Sequence, residues 1–67
     1  MLNPLKGFTA YVCTKDTDEV YAAHPMKIVA DVRSHFRISE EKAIQMIKDA
    51  TIDTPIDMGN CEVWSEL

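Results

Sequence analysis

Between Gly7 and Thr14 the chain alternates: Phe8, Ala10 and Val12 fall on one side, Thr9, Tyr11 and Cys13 on the other. A period of two with aromatic and β-branched residues predicts a strand. The polar cluster Lys15-Asp16-Thr17-Asp18 reads as a turn, and Val20-Tyr21-Ala22-Ala23 returns as a second strand. Together they make a hairpin with a loop of about four or five residues. The period then changes. His24-Pro25 opens a helix, with Pro suited to its first turn. Met26, Val29, Ala30, Val32 and Phe36 recur near helical spacing, while Lys27, Asp31 and Ser34 face away. This helix is expected to end at His35 or Phe36.

A second helix begins at Ser39, whose hydroxyl suits an N-cap, with Glu40 and Glu41 facing the positive end of the helix dipole. Ala43, Ile44, Met46 and Ile47 form its apolar side, and Lys48 lies near its C-terminal end. Asp49-Ala50-Thr51 ends it, Thr54-Pro55 forbids further helix, and Met58-Gly59-Asn60 reads as a turn. Cys61-Glu62-Val63-Trp64 alternates again and is expected to return to the hairpin as a third strand. The pattern predicts one α+β domain over residues 1–67. It is a β-hairpin, a helix-turn-helix-like pair joined at Phe36-Arg37-Ile38-Ser39, and a short C-terminal strand.

Size narrows the function. A chain of 67 residues buries only about 60% of its unfolded surface, which leaves little room for a deep catalytic cleft. Hydrophobic residues make up 46% and charged residues 27%, a globular balance. No apolar run approaches the roughly 20 residues that span a bilayer. Met1 to Gly7 lacks the apolar core and cleavage site of a signal peptide, so a cytoplasmic location is expected, with no membrane partner.

Little in the chain points to catalysis or metal. Cys13, His24, His35 and Cys61 supply two Cys and two His, yet no Cys-x-x-Cys or His-x-x-x-His spacing exists to hold half a zinc site. Without a secretion signal, both cysteines are expected as free thiols. The Asp-x-Asp of the hairpin turn lacks the Gly and distal Glu of a calcium loop. Asp31 and His35 stand at i,i+4, a spacing more often structural than catalytic. No cofactor is implied.

Charge is unevenly spread. Residues 1–48 hold all seven Lys and Arg and six of the eleven acids; Asp49, Asp53, Asp57, Glu62 and Glu66 follow with no base among them. Such a run commonly faces water, and it also suits a basic partner. Five carboxylates, Glu40, Glu41, Asp49, Asp53 and Asp57, are the candidate acidic face. Met46, Met58 and Trp64 are candidate apolar anchors wherever they reach the surface.

The turn Phe36-Arg37-Ile38-Ser39, with Ala43 and Ile47 four and eight places after Ser39, resembles small helix-turn-helix modules of phage-encoded homing endonucleases. Those modules combine a hairpin, two helices and a final strand ending in an aromatic, and their turn typically reads Leu-Gly-Ile-Ser. Pro25 and Trp64 fall near the family's pre-helix Pro and terminal aromatic, so the resemblance spans roughly residues 11 to 64 on about half a dozen positions. It implies DNA contact through the second helix. Three departures work against that role. Arg37 replaces the turn Gly, Val32 and Arg33 replace an Ala pair, and Glu40-Glu41-Lys42 puts carboxylates where a reader meets phosphates and base edges.

The expectation is therefore a small acidic, non-enzymatic protein-binding module, a phage or mobile-element regulator or inhibitor. It would cover the basic, for instance nucleic-acid-binding, surface of a host protein. The alternative is a helix-turn-helix transcriptional regulator acting as a homodimer, with Lys27, Arg33, Arg37, Lys42 and Lys48 as its nucleic-acid contacts.

Overall fold

The computed structural model describes residues 5–67. In chain order its elements are β1 (Thr9–Thr14), β2 (Val20–Ala23), α1 (Pro25–Phe36), α2 (Glu40–Asp49), β3 (Ile56–Asp57) and β4 (Cys61–Glu66). The strands form one antiparallel sheet in the order β2-β1-β4-β3. The hairpin, the helix pair and the returning strand of the predicted α+β arrangement are all present. β4 pairs along its whole length with β1, from Glu66 opposite Thr9 to Cys61 opposite Thr14. The two-residue β3 is an element that the pattern of residues does not predict. It is too short to show a period, and Pro55 directly before it reads as a stop.

Local chemistry fixes the helix ends. Pro25 has no N–H to leave unpaired at the first helical position, and His24 caps it by accepting from the Met26 N–H at 3.2 Å through Nδ1. Arg37 closes α1 in the left-handed region (φ 55, ψ 52), and its N–H returns to the Arg33 carbonyl. A side chain there costs about 1 kcal/mol relative to Gly. Ser39 caps α2 by accepting from the Lys42 N–H at 3.1 Å, and Glu40 and Glu41 follow in the first turn.

The core lies between the helices and one face of the sheet. Because paired residues share a face, the register puts Ala10, Val12, Val63, Ser65 and Ile56 on the helix-bearing side. Ile28, Val29 and Val32 of α1 and Ala43 and Ile47 of α2 are buried with them. The Ser65 hydroxyl, itself buried, donates to the Ile47 carbonyl at 2.6 Å and ties β4 to the end of α2. The buried stripe of α1 differs from the expected one. Ile28 belongs to it, whereas Ala30 is exposed, standing two residues from both Ile28 and Val32 and so on the far side of the helix. Phe36 is in line with Val32 but closes the helix beyond the core. It is 39% exposed and packs edge-on against the His35 ring.

Candidate functional site

The five predicted carboxylates are spread over α2, the loop after it and β3. Glu40 and Glu41 are exposed at the start of α2, and Asp49 is exposed at its end, about 13 Å away along the axis. Asp49 accepts from the Gln45 side chain at 3.0 Å. Exposed Lys42 and Lys48 lie on the same helix and break up its negative charge. Asp53 sits in the exposed loop after α2. Asp57 is on β3, where it accepts from Lys15 Nζ at 2.7 Å and from the Gly59 N–H at 2.8 Å. Those two bonds and the lysine's charge hold its carboxyl below the ordinary value, and the same contact raises the Lys15 ammonium. Asp57 is a fastener within the protein and is already neutralised.

Two of the three apolar anchors are core residues. Met58 is 8% and Trp64 5% exposed. Trp64 stacks on Tyr11 across the β1–β4 pair, with ring centroids 5.9 Å apart. Its indole Nε1 is buried with no hydrogen-bond partner among the described residues, a packing that costs about 1–3 kcal/mol. Alternation along β4 conceals this burial, because both faces of the strand are covered at Val63, Trp64 and Ser65. Met46 is half-buried against the core.

The basic set is also scattered. Lys27 and Arg33 are six residues apart on α1, as are Lys42 and Lys48 on α2, which turns each pair about 120° apart around its helix. Lys27 pairs with Asp31 at 3.5 Å. Arg37 is exposed in the turn. With Asp31 committed to Lys27 and the His35 ring against Phe36, no Asp31–His35 dyad forms. Cys13 opposes Glu62 while Cys61 opposes Thr14, so the two thiols project from opposite faces of the sheet and both are free. Desolvation, with the charge of Asp31 as a lesser cause, pushes the Cys61 thiol above its usual range, away from the reactive thiolate. Among the described residues, no three His, Cys, Asp or Glu side chains are placed to hold a metal ion. None of the helices there is long and apolar enough to cross a membrane.

What the structure does bring together is the end of the β1–β2 hairpin. The Asp18 N–H bonds the Thr14 carbonyl at 2.8 Å and the Thr14 N–H bonds the Glu19 carbonyl at 2.9 Å. The hydroxyls of Thr14 and Thr17 meet at 2.6 Å. Asp18 takes a positive φ of 56°, a conformation that Asp tolerates better than most residues. This tight turn holds Asp16, Asp18 and Glu19 exposed, and none of them has an ion-pair partner among the described residues. Directly after them, Val20 and Tyr21 are 55% and 51% exposed. Tyr21 borders a cleft of about 480 Å³ on the helix-bearing side, with Val12, Thr14 and Cys61 on its floor and Lys15, Asp16 and Asn60 around it.

The strand β2 is also open along its outer side. The Thr14–Glu19 bond fixes which residues of β2 bond to β1: Tyr21 and Ala23 point their N–H and C=O groups inward. Val20 and Ala22 therefore point theirs away from the sheet. The sequence does not single out Asp16, Asp18 and Glu19, because hairpin turns are ordinarily polar, or Val20, which reads as an ordinary strand residue. The usable signal was four residues, Val20 to Ala23, with no charge and no Pro in what became an edge strand. Comparison with protein-family models, with curated proteins and with solved structures finds no match.

Proposed function

We propose that this chain is a small non-enzymatic protein-binding module that covers a basic surface of a partner protein inside the cell. The observation that carries the reading is the juxtaposition of three carboxylates with no ion-pair partner among the described residues (Asp16, Asp18, Glu19) and the half-exposed Tyr21 beside a cleft, with half-exposed Val20 on the opposite face of the same strand. Carboxylates steer the encounter and select a basic partner, while the aromatic ring at the cleft supplies the anchor. This is the occlusion mechanism expected from the composition, carried by different residues. The small size and the Phe36-to-Ser39 turn fit a regulator or inhibitor of the phage type.

The DNA-binding alternative has less in its favour. The turn Arg37-Ile38-Ser39 is the right length, but the basic side chains diverge and Glu40 and Glu41 lead the second helix.

The test is capture of basic proteins from a cell lysate by immobilised chain, at low and at high salt. Capture should fall with salt, should be lost in the triple variant Asp16→Asn, Asp18→Asn, Glu19→Gln, and should weaken in Tyr21→Ala. Reversing Glu40 and Glu41 to Lys should leave it unchanged. Capture that instead follows Glu40 and Glu41 and ignores the hairpin would overturn the assignment of the surface. Retention of duplex DNA by the wild-type chain would overturn the class.

A further inference from the structure

We infer that the outer edge of β2 is a strand-addition site for an extended, cationic segment of the partner protein; the inference rests on the protein-binding reading above and specifies its mode. Val20 and Ala22 each present one N–H and one C=O to solvent in the geometry of a sheet that has stopped one strand early. Strand β2 carries no charge, no Pro and no bulge to deter a neighbour. An added antiparallel strand satisfies those groups and covers Val20 and Tyr21, the exposed apolar pair.

The occupant follows from charge. The chain carries a net charge of −4, so a second copy is repelled as it approaches. A cationic segment running past the turn meets Asp16, Asp18 and Glu19, which have no ion-pair partners among the described residues. Alternation in the added strand puts the residue opposite Tyr21 on the helix-bearing face, where the cleft lies. An Arg or Lys there lies over the Tyr21 ring and reaches toward Asp16, combining a cation–π contact with an ion pair. Main-chain bonds then supply affinity, and the cleft and turn supply selection for positive charge at alternate positions.

The test uses an acetylated hexapeptide of alternating Val and Arg, a matched Val and Glu peptide, and a Val and Arg peptide N-methylated at alternate amides. Each is titrated into the 15N-labelled full chain. The expected result is binding of the Val and Arg peptide alone, with exchange of the Val20 and Ala22 amides slowed tenfold or more while those of Tyr21 and Ala23 hardly change. Ala22→Pro, whose lost N–H faces away from β1, should abolish binding, and the N-methylated peptide gives the same answer without altering the protein.

Binding that survives N-methylation and is lost only with the hairpin acids would overturn strand addition and leave the protein-binding reading standing. So would absence of peptide binding while lysate capture still depends on the hairpin. Val20 and Ala22 amides already protected in the free chain, together with a dimer mass in sedimentation, would also overturn the proposal by giving the edge to a second copy. Loss of both peptide binding and hairpin-dependent capture would remove the proposal and the reading beneath it.

Discussion

The strands β3 and β2 close the same sheet, and only β3 carries the devices that keep an edge from pairing. It is two residues long, follows Pro55, ends in a charged side chain and turns at once through Gly59 at φ 90°. Its outward-pointing backbone belongs to Asp57, whose carboxylate is fastened to Lys15. Its other residue, Ile56, is 9% exposed and joins the core. The strand β2 has twice the length, no charge, and two large side chains half in water. Natural sheets blunt their edges because an open one recruits other chains. One edge is blunted and the other left bare, and on the proposed function this separates a structural edge from an interactive one.

If that division is correct, core truncation should hurt at one edge and pass unnoticed at the other. Ile56→Ala should cost about 2–4 kcal/mol, a large part of the roughly 3–10 kcal/mol that a domain of this size has in total. Val20→Ala should stay within about 0.5 kcal/mol. Urea unfolding followed by Trp64 fluorescence measures both, and comparable losses at the two positions would mean that β2 is as much a part of the core as β3.

A second contrast acts between neighbours on one strand. Tyr21→Pro deletes a ladder bond to β1 and leaves an acceptor unpaired, which should cost about 1–3 kcal/mol. Ala22→Pro deletes an N–H that faces solvent and should change stability by less than about 1 kcal/mol. The same unfolding curves decide it. A larger loss at Ala22 would reverse the assignment of inward and outward residues, and with it the strand-addition site.

The two hairpin turns give a smaller difference. Gly59→Ala makes only an ordinary van der Waals contact, with His35 Cε1 at 4.0 Å, but must hold a positive φ of 90°. It should therefore cost about 1 kcal/mol through strain alone. Asp18→Gly, at φ 56°, relieves strain in the folded turn while loosening the unfolded chain. The two effects should cancel to within about 0.5 kcal/mol.

These contrasts also show which features a sequence exposes. The elements were legible because each rests on local chemistry: the alternation of β1, Pro25 and His24 at the start of α1, and Ser39 with its acids at the start of α2. The left-handed backbone at Arg37 was not, since Arg is an uncomfortable residue there and only the Gly of the resembled turn hinted at it. Faces and edges were not, because they depend on what a strand meets after folding. Trp64 alternates like a half-exposed residue, yet it is buried on the side away from the helices. Asp57 reads as one more acid in a run, and only the β3–β4 return brings Lys15 to it from 42 positions away. Likewise, Asp16, Asp18 and Glu19 look like solubilising turn residues until the sheet order leaves β2 on the outside.

The faintest effect separating the edges is the fastener at Asp57. Its carboxyl in the folded chain is held below the ordinary 3.8, chiefly by the Lys15 hydrogen bond and next by the Gly59 N–H. The stability it contributes is therefore complete above 3.8 and disappears as the pH falls through its lowered value. Lys15 runs the opposite way. Its ammonium is raised above 10.5 mainly by Asp57, so its contribution is complete below 10.5 and is lost as the pH climbs through the raised value. Between those limits the pair should add a constant, salt-sensitive increment, small because both side chains are exposed. The melting temperature of wild type minus that of Asp57→Asn, which keeps an acceptor for Gly59, should be positive and flat from mildly acidic to mildly basic pH. It should shrink below about pH 4. Adding Lys15→Gln to Asp57→Asn should change little further, since the partner is already gone. Independent losses from the two substitutions would mean that the ion pair does not hold β3, and that its blunting rests on Pro55, Gly59 and Ile56 alone.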